Sequence, residues 1–275
     1  LDSFFTRHEE LRFPIRFGAL SNIGPPYDVT VPLFTECLRV ALKHEYPVMI
    51  ITKVPLHKYS EAADALLRLA EGGLLGVAVT ITSFREDFYR KIEPRAPSAE
   101  DRAEFLQWLA DHEITPVLRV TPLFQGVTDV EEEFRSILDR CPRGHVVVEY
   151  VRVRTRELLE FMRKLGVTPW IWDHEMKYYM APPEYRAGGY LRVREVAHRA
   201  GWSFAICGDK AFKVTDFRDC CTGPMDLYGK FMPYRDSPRY DRGVRDRLIP
   251  AIPNMPISRW RSPGQDLSKG EVVLQ

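Results

Sequence analysis

VMIITKVPLHKYSEAADALLRLAEGGLLGVAVTIT, residues 48–82, is the stretch on which the fold turns. Val48–Thr52 is short, apolar and rich in β-branched side chains, the pattern of a strand buried on both faces. In residues 60–71, Ala63, Leu66, Leu67 and Ala70 fall three and four apart, one stripe of a helix. Gly76–Thr82 returns to strand. Strand, helix and strand in so short a span predict a parallel βαβ unit.

The alternation extends in both directions. Upstream, Phe4–Arg12 reads as a helix tail or a loop, and Phe13–Gly18 as a buried strand. Residues 32–44 form an amphipathic helix through Phe34, Cys37, Leu38 and Ala41. Downstream, Ser98 caps a helix over 98–111, with Asp101 three residues on and Ala103, Leu106 and Leu109 as its buried stripe. Pro116–Thr121 is a strand. Asp129 is expected to cap a helix that carries Glu131, Glu132 and Glu133 in its first turn and Arg140 at its end, a sign order that suits the helix dipole. Strands follow at His145–Val153, Val167–Trp172 and Trp202–Cys207, separated by helices at Thr155–Leu165 and Tyr185–Ala200. The expectation is an α/β fold: a partial or full (β/α) TIM-like barrel of parallel strands over residues 1–207. A strand before the first helix would bring seven strands to eight and close the barrel, and six units with an extension would leave it open. Residues 208–275 lose the alternation and form an irregular extension rich in Pro, Arg and aromatic residues.

Composition narrows the function. The net charge is +1 over 275 residues, so no global field attracts nucleic acid or an anionic membrane. No apolar run is long enough to span a bilayer, and no signal-peptide pattern opens the chain. The five cysteines are odd in number and unevenly placed. That is no secreted disulfide framework, and a cytoplasmic setting is expected.

Several pieces recur in a recognisable order: IRFGALSN at 15–22, IITK at 50–53, VAVTITS at 77–83, KIEPRAPSAEDRAEFLQWLADHEI at 91–114 and TPLFQGVTD at 121–129. Together they resemble the radical SAM core of proteins related to spore photoproduct lyase. The most specific piece is 91–114, with Glu93, Arg95 and Arg102. The resemblance implies a [4Fe-4S] cluster and S-adenosylmethionine as cofactors, and the polar ends of the strands as ligand contacts. On it rest the cofactor-binding candidates Ser21, Asn22, Thr52, Lys53, Thr82, Ser83, Glu93 and Arg119. Lys53, Ser83 and Arg119 are assigned to the carboxylate and ribose of the cofactor. The motif of Glu93, Arg95 and Arg102 also reads as a buried Glu–Arg bridge that fixes the entrance of the helix. The chain departs from the family at one point: no Cys-x-x-x-Cys-x-x-Cys spacing occurs. The resemblance places that loop just before Leu1, so either the thiolates lie upstream or the protein is a degenerate relative.

Reading the later strand ends adds Thr121, Glu149, Arg152, Asp173, His174, Glu175 and Cys207. Asp173, His174 and Glu175 are the densest titratable triplet. They suggest a divalent metal or acid–base chemistry, although adjacent strand residues point to opposite faces. Cys207, Cys220 and Cys221 suggest an auxiliary iron–sulfur cluster or a zinc site, although their spacing is not a standard zinc pattern. Cys37 belongs to a helix core, and Cys141 closes a helix. The tail between Tyr228 and Arg261 mixes arginines with aromatics, so it reads either as a wrapping clamp or as a nucleic-acid contact. Three functions follow: a radical SAM-type enzyme abstracting hydrogen from an unidentified substrate, a metal-dependent hydrolase or lyase, or a non-enzymatic binding module.

Overall fold

The computed structural model describes residues 1–7, 14–18, 23–209, 212, 214–216 and 220. The fold is α/β: six strands form one parallel sheet in the order β1-β2-β3-β4-β5-β8, and β6 and β7 form a separate two-stranded sheet. Among the described residues the order is open, with β1 and β8 as its ends. The chain divides into two compact units. The described part of the first comprises Leu1–Thr80 and Arg95–Leu118, and that of the second Ile81–Pro94 and Arg119–Cys220.

The first unit contains α1 (Asp2–Arg7), β1 (Ile15–Phe17), α2 (Tyr27–Lys43), β2 (Val48–Thr52), α3 (Ser60–Glu71), β3 (Leu75–Thr80) and α5 (Ala99–Asp111). β1 and β3 flank β2 in parallel register, with Ile15 opposite Val48 and Val48 opposite Leu75. Every residue of β2 and β3 is buried, as expected of strands covered on both faces. α3 has the expected span but a different buried stripe: Ala62, Ala65, Leu66 and Leu69. The predicted and observed stripes share one spacing, so periodicity alone did not select between them. α2 begins five residues before the expected start. Thr30 Oγ1 donates to Gly24 O at 2.6 Å and Val31 is buried, which anchors a turn ahead of Pro32. Pro32 then forfeits only one backbone bond near a terminus.

At α5 the expected capping box is present. Ser98 Oγ accepts the Asp101 backbone N–H at 3.0 Å, and the Asp101 carboxylate accepts the Ser98 N–H at 3.3 Å. Buried on this helix are Ala99, Arg102, Phe105, Leu106 and Leu109, so Arg102 takes a core position that the apolar stripe did not anticipate. Its guanidinium donates to Ser98 O at 3.1 Å and to Thr80 O, at the last residue of β3, at 2.9 Å.

The second unit contains α4 (Glu86–Ile92), β4 (Val117–Leu123, from Arg119), α6 (Glu131–Asp139), β5 (His145–Tyr150), α7 (Arg156–Lys164), β6 (Ile171–Asp173), β7 (Tyr178–Met180), α8 (Pro183–Arg199) and β8 (Ser203–Ile206). β5 and β8 pair in parallel, His145 opposite Ser203. Two sequence expectations are corrected here. Val167–Trp172 is not a strand of the parallel sheet, because Ile171–Asp173 pairs antiparallel with β7 as a hairpin. Asp129 is not the cap of α6: Val130 is the N-cap, and Asp129 is fully buried. α4 was not anticipated, since its buried Phe88 and Tyr89 make too short a stripe. Phe88, Phe124, Val127, Val151, Val153, Leu159, Met162 and Val167 form a core of this unit.

Replacing Arg102 by Met should lower stability by roughly 3 kcal/mol, because two backbone carbonyls lose a charged donor that water cannot replace. Chemical denaturation checks this, and an unchanged midpoint would contradict the assigned role.

Candidate active site

The polar strand ends are described unit by unit. In the first unit, Thr52 ends β2 fully buried, and its Oγ1 accepts the Val54 N–H at 2.8 Å. Lys53 is half-buried beside it. Farther along, the His57 ring stacks on Phe105 with centroids 5.3 Å apart and on Trp108 at 5.9 Å. Burial, then the Lys58 charge, pushes its pKa below the ordinary 6.5, against the pull of Glu104 and Asp101. Ser21 and Asn22 lie outside the described residues.

In the second unit the segment after β3 is held by its own side chains. Thr82 and Ser83 are fully buried. Thr82 Oγ1 donates to Glu93 at 3.4 Å. Ser83 Oγ donates to Glu133 at 2.7 Å and accepts the Arg85 N–H at 3.0 Å. Arg119 is buried on β4, and its backbone O accepts the Ile81 N–H at 3.0 Å.

The densest polar construction is one that the sequence reading missed. The Asp129 carboxylate accepts the Tyr150 hydroxyl at 2.6 Å and the Gly126 N–H at 2.7 Å. Arg192, half exposed, lies 3.6 Å from it. Burial, then the charge of Asp129, pushes the Tyr185 phenol up to about 12. Burial first, and then the same charge, holds the Tyr150 phenol well above its ordinary value. The backbone N–H of Tyr150 donates to the Tyr190 hydroxyl at 3.3 Å, and that hydroxyl donates to Asp209 at 3.1 Å. Asp209 pairs with Arg186 at 2.9 Å, both nearly inaccessible. These groups tie the loop after β4, the end of β5 and the turn after β8 to α8. A Cβ on Gly189 of α8 would lie 1.7 Å from the Tyr150 hydroxyl, so only glycine permits this approach. No single sequence pattern connects residues 129, 150, 190 and 209, and the nearest cue was the aromatic and acidic content of the strand ends.

On the opposite face of β5, Glu149 forms an ion pair with Arg152, and Arg152 Nη1 donates to Gly208 O at 3.2 Å. The Arg152 guanidinium lies 5.7 Å from the Tyr178 ring centroid.

The remaining candidates do not assemble. Asp173, His174 and Glu175 run from β6 into the hairpin turn. Asp173 Oδ1 accepts the Met176 N–H at 2.7 Å, and His174 and Glu175 are exposed. Among the described residues no three His, Cys, Asp or Glu side chains form a group suited to a metal. Cys207 and Cys220 are half-buried and not in disulfides, while Cys221 and the arginine-rich tail lie outside the described residues. Burial pushes the Cys141 thiol up to about 12, which makes it a poor nucleophile. No helix among the described residues is long and apolar enough to cross a membrane.

No family model matches the chain, and no curated protein matches it. Six solved chains match, among them the following two at low identity. A domain of pyruvate-formate lyase-activating enzyme from Bacteroides vulgatus ATCC 8482 is 12% identical with a TM-score of 0.46, over 71% of this chain and 99% of that one. A mutant spore photoproduct lyase with bound AdoMet and dinucleoside spore photoproduct is 13% identical with a TM-score of 0.47, over 72% of this chain. This chain spans 60% of that lyase. Likeness at this level carries no statement about the chemistry of this chain.

Two outcomes test the geometry. Gly189→Ala should cost about 3 kcal/mol by overpacking, and its cost should be smaller in a Tyr150→Phe background, which removes the clashing oxygen. Equal costs in the two backgrounds would contradict the contact. Because the folded-state pKa of His57 lies below its unfolded value, its contribution is full above the ordinary value of 6.5 and is lost as pH falls below it. His57→Phe should therefore lose less melting temperature than the parent between about pH 7 and pH 5.

Proposed function

We propose that this chain is the ligand-holding α/β sheet of a radical SAM-type enzyme, acting on a substrate that the sequence does not identify. The observation that carries the reading is the 91–114 segment. Its Ser98–Asp101 capping box and fully buried Arg102 lock the helix entrance onto Thr80, the carboxyl end of β3. The resemblance puts the cofactor at the polar carboxyl ends of several strands, of which this is one.

The cluster does not fit the residues present. The sequence contains no Cys-x-x-x-Cys-x-x-Cys, and among the described residues no three-ligand group occurs. Residues 1–275 are therefore read as holding and shielding a ligand, and the iron chemistry is not assigned to them. Within the second unit, Arg119 is the side chain suited to the anionic end of S-adenosylmethionine, as a buried guanidinium forms strong charge-assisted bonds to carboxylate. The Ser83 hydroxyl already serves Glu133 and Arg85, so it contacts a ribose only by exchanging one of those partners. Buried strand ends exclude water from a reactive intermediate. The four cysteines among the described residues form no disulfide, and a cytoplasmic setting is part of the same proposal.

Protein produced from the complete gene, reconstituted with iron and sulfide without oxygen, should show a visible sulfur-to-iron band. It should release 5′-deoxyadenosine when reduced with S-adenosylmethionine present. Iron-loaded protein that releases none would overturn the reading. Arg119→Met should weaken S-adenosylmethionine binding roughly 10–100-fold in calorimetric titration.

A further inference from the structure

Behind the strand ends of the second unit lies a chain of buried polar groups that stability alone does not explain. Arg186 and Asp209 are 3% and 6% exposed at the side chain and pair at 2.9 Å. Arg186 Nη1 also donates to Ala181 O at 2.6 Å, and its guanidinium lies 5.5 Å from the Phe212 ring centroid. Tyr190, one helical turn along α8 from Arg186, donates to Asp209 and accepts from the backbone of Tyr150. A buried ion pair of this kind roughly breaks even against well-packed apolar residues, so its physical output is geometry. That geometry converges on one turn. Gly208 sits between Cys207 and Asp209 at φ +69°, a conformation that costs glycine nothing and gives it no stiffness of its own. A Cβ there would come within 2.4 Å of the Glu149 carboxylate, so the carboxylate rests directly on the Gly208 backbone. Arg152 closes the arrangement by bonding both Glu149 and Gly208 O.

We propose that Arg186, Asp209 and Tyr190 are positioning residues. They fix the Cys207–Asp209 turn, and through it Glu149, which receives a cationic or hydrogen-donating group of the ligand. The ligand half of this inference rests on the functional reading given above, whereas the positioning half does not.

The test uses the full chain with Tyr190→Phe, which keeps the ring contacts and removes the hydroxyl, and with Asp209→Asn as a second variant. Alkylation of each cysteine by iodoacetamide is followed site by site by mass spectrometry. Cys207 reports on the turn, and Cys37 on α2 of the first unit is the reference. Cys207 should react about tenfold faster in both variants while Cys37 keeps its rate, the signature of local rather than global opening. An unchanged Cys207 rate, or equal acceleration of Cys207 and Cys37, overturns the positioning role. Glu149→Gln then tests the ligand half in protein from the complete gene. Weaker S-adenosylmethionine binding or loss of 5′-deoxyadenosine release supports it. Unaltered binding and release overturn it and leave the positioning result standing.

Discussion

The second unit is organised around a carboxylate that has no exposed surface. Asp129 draws the Tyr150 hydroxyl and the Gly126 backbone onto one group, with the Arg192 guanidinium 3.6 Å away. Leaving any of these donors unmatched in the interior would cost more than the bond itself contributes, so the loop, the strand end and α8 move as one. Gly189 is the steric counterpart of this constraint, since the Tyr150 hydroxyl occupies the space where any other side chain would begin. The other side of β5, which carries Glu149, rests on the Gly208 backbone at the turn after β8.

The first unit achieves order differently. β2 and β3 are buried throughout, and Arg102, a buried guanidinium among the described residues, donates to the backbone carbonyls of Ser98 at the helix entrance and of Thr80 at the end of β3. A guanidinium in that position commits the entrance of α5 to the carboxyl end of the strand. Residues 91–114 thus have a concrete structural role in fixing that entrance.

Much of this was legible in the sequence. β2, the span of α3 and the capping box of α5 were read correctly because each depends on signals within a few residues: β-branched runs, apolar spacing, and a serine three residues before an aspartate. The failures share a different cause. Asp129 looked like an N-cap because it precedes three glutamates, but a tyrosine 21 residues later claims its carboxylate. Val167–Trp172 looked like a sheet strand, yet its end turns through Asp173 into a hairpin, because pairing partners are not encoded in apolarity. The Arg186–Asp209–Tyr190 chain joins residues that no local pattern associates. Sites built from long-range polar satisfaction leave their trace in three dimensions, not in spacing.

The central claim is that the strand ends of the second unit hold the ligand. Residue-resolved hydrogen exchange on protein from the complete gene, with and without S-adenosylmethionine, tests it most directly. The account predicts slowed exchange concentrated at residues 81–93, 119–129, 149–152 and 207–209. Protection confined to the 171–180 hairpin, or absent from all of these segments while the ligand is bound, would contradict it.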